Sequence, residues 1–500
     1  MPLSTRGRRR TGALALPLLV GALLVPAAAG APIAPGPATS LPESLGGPAT
    51  AHPLPASHPP QNPFLARAPF SNIHNDTWMT DAYPFAGPLG RGSQASSGSL
   101  PPSLCGSLTF DRRGRLVSVC PSIIAPPEAR VIDPRTLQVV ASYTLPDAPA
   151  LPGTQPFQNF TGGGYFFLDP HDRIWSATKT NHLFVLSESA DGRRLVKTAD
   201  YDLTGAVPTT EGITSALPDF RGRIWFVSKQ HGTVGVLDPR TRRIRVLRLG
   251  EEVENSFAVG RGAVYIVSDK RMYRFSAGAD GRPRIDWKAV YRNSGIHKPS
   301  QVDAGSGTTP TVMDGGYVAI TDNADPMNVV VYRTARRLRR AQHRVVCQVP
   351  VFAKGASATE NSLLTAGRML FVENNYGYQD PFGPLNGALT QPGFARVDVD
   401  RDGRGCRLRW TNITERAPSV VPKLSTKTGL IYTYTRDPDP NGSQPWFWTA
   451  IDAHTGRTAF KRYAGNGLPF NNNYAGIALA RDGSAYLGTT GGIQVLRDAR

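Results

Sequence analysis

Many of the features that mark common enzyme classes are missing from this sequence. Its 500 residues include only four cysteines. They form no Cys-x-x-Cys, no Cys-x-x-Cys-His and no adjacent Cys-Cys pair, so thiolate metal sites and covalent haem are not indicated. There is no Gly-x-Ser-x-Gly elbow, no His-Glu-x-x-His and no P-loop. Amphipathic helical periodicity beyond three turns is missing, which argues against helix bundles and alternating α/β folds. The apolar run from Ala13 to Val25 is too short to span a bilayer and contains Pro17 and Gly21.

That run follows Arg6, Arg8, Arg9 and Arg10 and precedes Ala27 and Ala29, the order of a secretory signal over residues 1–29. Residues 30–63, "GAPIAPGPATSLPESLGGPATAHPLPASHPPQNP", hold almost no large apolar side chain and are expected to be a disordered linker. From residue 64 to 500 short Val/Ile/Tyr/Phe/Trp runs alternate with Gly, Asp, Asn and Pro, which marks the folded domain. The expected destination is secreted or periplasmic, as a monomer that does not span a membrane. Four cysteines in an exported chain suggest two disulfides. Cys105 and Cys120 flank one turn and suit a bridge across a hairpin, which leaves Cys347 for Cys406.

The formal charge is +18, and about +14 without the four signal arginines. The arginines are scattered through turns such as "DRRGR" and "DPRTRR" with no basic stripe interleaved with aromatics, so no specific nucleic-acid partner is expected. For an exported chain, anionic lipid, wall polymer or polysaccharide are the anions at hand. The densest cluster, "RTARRLRRAQHR" at 333–344, reads as a solvated surface connection.

Eight hairpins of strand, Gly/Asp turn and strand recur along the chain. Their turn residues Gly114, Asp172, Gly222, Gly262, Gly315, Gly367, Gly429 and Gly483 advance by 40 to 62 residues. Each hairpin is followed by further strands, as in "VGVLDPRTRRIRVLRL". A spacing averaging about 53 suits four-stranded blades, so the expected fold is an all-β, eight-bladed β-propeller, with seven blades as the rival count. The last unit shows only three strands, and a strand from the N-terminal side should close the ring. The apolar stretch "NPFLARAPFSNIHNDTWMTDAY" (62–83) is the expected donor.

The repeat Asp-x-x-Gly-Arg-Ile-Trp followed by "VGVLDP" (Asp219 to Pro239), with looser copies at Asp111, Asp169 and Arg481, resembles the blades of exported bacterial propellers. These include the streptogramin-lyase, gluconolactonase/regucalcin and quinoprotein-dehydrogenase-like groups. The resemblance implies the fold over roughly residues 100–498. The missing vicinal Cys-Cys pair departs from the quinoprotein alcohol dehydrogenases, so pyrroloquinoline quinone (PQQ) is not expected.

Residues just ahead of each inner strand should ring one mouth of a propeller's channel. "VENSFAV" and "TENSLLT" place Glu254–Asn255 and Glu360–Asn361 at this position two blades apart. The predicted ring adds Glu211, Thr308, Ser419 and Asn471 to Asn473. Within it Glu254, Glu360 and Asn473 are the candidate ligands of Ca²⁺ or another hard cation, and Glu211, Asn255, Thr308, Asn361 and Asn472 the candidate contacts to a bound molecule. His74 and Asp76 in "SNIHNDTWMTDAY" are the candidate catalytic pair, should this segment cross the mouth. Asp322, Asn323 and Glu373 to Asn375 follow second strands and are expected at the opposite end. Two functions stay open: a binding or scaffold propeller for protein, glycan or wall polymer, and a calcium-dependent hydrolase or lyase acting on a small molecule.

Overall fold

The eight hairpins are the inner pairs of eight antiparallel sheets arranged as an eight-bladed β-propeller. The computed structural model describes residues 1, 30–100, 103–122, 124–149, 151, 159, 161–382 and 386–499. The expected signal segment lies outside them. Blades 1 to 6 span 107–144, 167–202, 213–248, 258–290, 311–350 and 364–412, each with four strands in chain order. Blade 7 (423–466) gains Ser44–Leu45 outside and Ala82–Tyr83 inside, and blade 8 (477–497) is completed by an N-terminal strand. The first strands of blades 4 to 8 and of blade 1 touch in succession about the axis.

The blade repeat has a physical cause. In blades 1, 2 and 3 the turn aspartate (Asp111, Asp169, Asp219) accepts two backbone N–H groups with one oxygen and the guanidinium of Arg115, Arg173 or Arg223 with the other. Trp175 and Trp225 donate Nε1–H to the same carboxylate oxygen, at 3.1 and 3.2 Å. One carboxylate thus fixes a turn, a cation and a core indole, which is why Asp, Arg and Trp recur at that spacing. The turn needs a left-handed residue, supplied by Gly114 and Gly222 (φ 77° and 81°) and in blade 2 by Asp172 (φ 59°).

The closing strand is Gln94–Ser99, "QASSGS", paired antiparallel with 492–497, and not the apolar 62–83 stretch. An outermost strand is half exposed, so small polar residues suffice. Its duty is to satisfy backbone groups at a sheet edge.

The apolar stretch instead runs to the axis. Ser71, Thr77, Trp78, Thr80 and Asp81 carbonyls accept from the amides of Leu168, Val259, Val312, Thr365 and Leu424, one each in blades 2, 4, 5, 6 and 7. It forms a plug held by five inner strands.

Residues 30–63 lie along the blades. Leu54 and Ile33 are buried in the core of blades 6 to 8, the amides of His52 and Leu54 bond the carbonyls of Thr428 and Thr426, and Asp439 accepts from Thr39 and the Ser40 amide. Few apolar groups are needed because the segment borrows a surface already folded.

Both disulfides have the expected partners, Cys105–Cys120 and Cys347–Cys406. The second joins the outer strands of blades 5 and 6. Among the described residues no helix is long and apolar enough to cross a membrane.

Candidate functional site

Because first strands run in parallel about the axis, the residues ahead of them converge on one face, here called upper. Glu254 and Glu360 each lie four residues before their first strand, at matching places in blades 4 and 6. Both are buried. Glu254 meets Lys229 at 2.5 Å. Burial, more than this lysine can offset, pushes its carboxyl up to about 7. The Glu360 carboxylate makes no side-chain hydrogen bond among the described residues. Burial, with Asp303 and Glu254 close by and only Lys229 and the Val302 backbone pulling the other way, holds it well above the usual carboxylate range.

Asp303, from the long connection between blades 4 and 5, completes this group. Burial and the charges of Glu254 and Glu252 raise its pKa strongly. The three carboxylates come from consecutive blades and share one buried cation, Lys229, whose own pKa is raised by Glu254 against the effect of burial. Sequence reading missed Asp303 because it stands five residues ahead of Thr308 in a connection of irregular length.

The other ring positions differ in role. Asn255 accepts from the Tyr165 hydroxyl at 3.0 Å, and its amide nitrogen has no partner among the described residues. Asn361 donates to Glu373, Asn375 and the Val420 carbonyl, which ties blade 6 to blade 7. Thr308 accepts from the Thr321 amide. Asn473 accepts from the Tyr378 hydroxyl at 2.9 Å, and Asn472 is buried with its side-chain oxygen unpartnered. The Ser419 hydroxyl accepts from the Tyr474 amide. Glu211 is apart from the cavity: it accepts from Ser228 and Thr233 within blade 3, as Glu251 does from Ser268 in blade 4.

Glu373 to Asn375 and Asp322 lie at the ring's end of the blades, contrary to expectation, since a second strand runs antiparallel to the first and returns to the same face. Asn375 accepts from the Glu360 amide and from Thr359. Burial pushes Glu373 up to about 8, against the pull of Asn375 and Asn361.

The plug brings His74 to this group. Its Nδ1 lies 2.9 Å from Asp81, its ring stacks on Tyr165 at 5.9 Å, and Nε2 is 3.4 Å from Thr309. Asp81 is also bound by Lys423, which bonds the Ile73 carbonyl as well. Burial would raise the Asp81 pKa, but His74 and Lys423 outweigh it and keep the group ionised below its usual range. Asp76 turns away into the plug, accepting from the Trp78 amide at 2.8 Å and from Thr80, with burial pushing it up to about 7.

His74, Tyr165, Asn255, Glu360, Ser362 and Asn473 line a cavity of about 50 Å³. That is room for roughly three to five waters. Tyr474 also lines it, its hydroxyl donating to the Ser300 carbonyl at 2.7 Å. Among the described residues no three His, Cys, Asp or Glu side chains stand at metal-holding spacing.

No family model matches the sequence, and no curated relative does. Similarity appears among solved structures. A quinohaemoprotein alcohol dehydrogenase from Comamonas testosteroni superposes with a TM-score of 0.53 at 10% identity, over 86% of this chain and 81% of that one. A streptogramin B lyase gives 0.40 at 12% identity, over 85% and 99%, and the Dos1 propeller 0.39 at 9%, over 90% and 95%. At these identities it is the fold alone that is shared, and the chain is a β-propeller.

Proposed function

We propose that this chain is an exported, non-catalytic binding propeller that presents an outer face to a protein, glycan or wall polymer. The observation that carries the proposal is the small volume of the cavity at the axis. With the plug running to the axis, the cavity beside His74 and Glu360 has about 50 Å³, whereas small-molecule sites run to roughly 300–1,000 Å³. Two disulfides and the signal-like start fit an oxidising compartment. The test is immobilised protein exposed to envelope extract at low salt. Retention of a specific component is expected, and an empty eluate would overturn the proposal.

A second reading, a calcium-assisted hydrolase or lyase, is favoured by Glu360, which lines the same cavity as His74 and makes no side-chain hydrogen bond among the described residues. An ion there would be held by the Glu360 carboxylate with the Asn473 side chain, and would polarise a carbonyl. His74, oriented by Asp81, would move the proton. Elemental analysis and thermal melting with and without chelator decide it: a melt unmoved by chelator and a metal-free protein would sink this reading.

A further inference from the structure

The charge of this chain is divided between its two faces. The lower-face turns, between first and second and between third and fourth strands, hold 25 Lys and Arg against 12 Asp and Glu. The upper-face connections hold 7 against 14. The arginines that look scattered in sequence are gathered because every such turn lies at the same end of the propeller. Some, such as Arg115, Arg173 and Arg223, are spent on their turn aspartates. Arg221, Arg240, Arg243, Arg337 and Arg340 are exposed and make no ion pair among the described residues.

A trench of about 720 Å³ opens between blades 2 and 3, walled by Trp175 and Tyr201 and bordered by Arg221 and Arg240. The faces of Trp175 and Tyr201 are already covered. Phe167 stacks on Trp175 at 5.6 Å, Trp175 on Tyr201 at 5.7 Å, and Arg242 lies over Tyr201 at 5.1 Å. The rings of Trp175 and Tyr201 therefore leave little face for stacking a nucleobase, as single-stranded nucleic acid would require. The lower-face turns also expose no large apolar side chain with which to enter a bilayer.

We propose that the lower face is a docking surface for a linear anionic polysaccharide, one stretch of which lies in the trench between blades 2 and 3 while exposed arginines hold neighbouring carboxylates. The inference rests on the binding reading above and names its ligand class. A concave trench within a broad basic field fits a charged chain better than a flat lipid surface.

The test is equilibrium binding of the full chain to labelled polygalacturonate, neutral dextran, phosphatidylglycerol vesicles and oligo(dT) across a salt series. Polygalacturonate should bind at about 50 mM salt and weaken at least about tenfold by about 300 mM, and dextran should not bind. Charge reversal at Arg221→Glu, Arg240→Glu, Arg337→Glu and Arg340→Glu should weaken it at least about tenfold, and the upper-face pair Lys270→Glu, Lys354→Glu less than about twofold. If the reversal variant does not fold, the same positions as Gln should still weaken binding with an unchanged melting temperature. No polyuronate binding, equal binding of dextran, equal loss in both variants, or tighter binding of vesicles or oligo(dT) would overturn the proposal. If envelope extract yields a retained protein while polyuronate is ignored, this inference falls and the binding reading stands.

Discussion

Residues 71–83 and 94–99 belong to one N-terminal arm and meet opposite environments. The first is buried almost throughout, although it contains Asn72, His74, Asn75, Asp76 and Asp81. The second, "QASSGS", alternates between exposed and half-buried positions on the outer edge of blade 8. The apolar-looking stretch plugs the axis, and the bland polar one closes the ring. At an edge only backbone groups must be satisfied, and almost any short segment can do that. At the axis each polar side chain must find a protein partner, so its residues are specified one by one.

The contrast can be broken by mutation. Lys423→Met should have the largest effect, because Asp81 would keep only His74 against its buried charge; a loss of roughly 3–5 kcal/mol is expected in denaturant unfolding. A loss below about 1 kcal/mol would show that the plug is held elsewhere. Gly98→Val tests the edge where it is buried. A Cβ there falls 2.6 Å from the Leu137 Cβ, so about 1–3 kcal/mol should go in overpacking.

Glu373→Gln probes the ring between plug and edge. Burial raises the folded pKa of Glu373 to about 8. Its stabilising contribution is therefore complete below the ordinary carboxylate range and is lost as pH rises towards 8. Glutamine keeps the acceptor for Asn361 and Asn375 and cannot ionise. The variant should match the parent near pH 4.5 and exceed it by about 1–3 kcal/mol near pH 8.5, with a flatter stability profile between. Parallel profiles would disprove the burial argument. Ser96→Ala, exposed on the closing strand, should change stability by less than about 0.5 kcal/mol.

Much of the fold was legible because its code is local. Asp219, Gly222, Arg223 and Trp225 lie within seven residues, and the carboxylate that joins them acts inside one hairpin. The matched Glu-Asn-Ser copies could be read for the same reason, being set by distance to a strand. Asp303 could not, since its approach to Glu254 and Glu360 depends on the path of a long connection. Glu211 showed the limit of position alone: its carboxylate accepts from Ser228 and Thr233 within blade 3 and does not line the cavity.

By itself the sequence determined eight antiparallel units, their turns and their order, because hairpin pairing and turn geometry are satisfied among residues near in the chain. Only the tertiary structure decided what fills the channel, which strand closes the ring, and that the scattered arginines share one face. Those outcomes depend on closing the ring, which brings together groups hundreds of residues apart in the chain, such as Asp81 and Lys423.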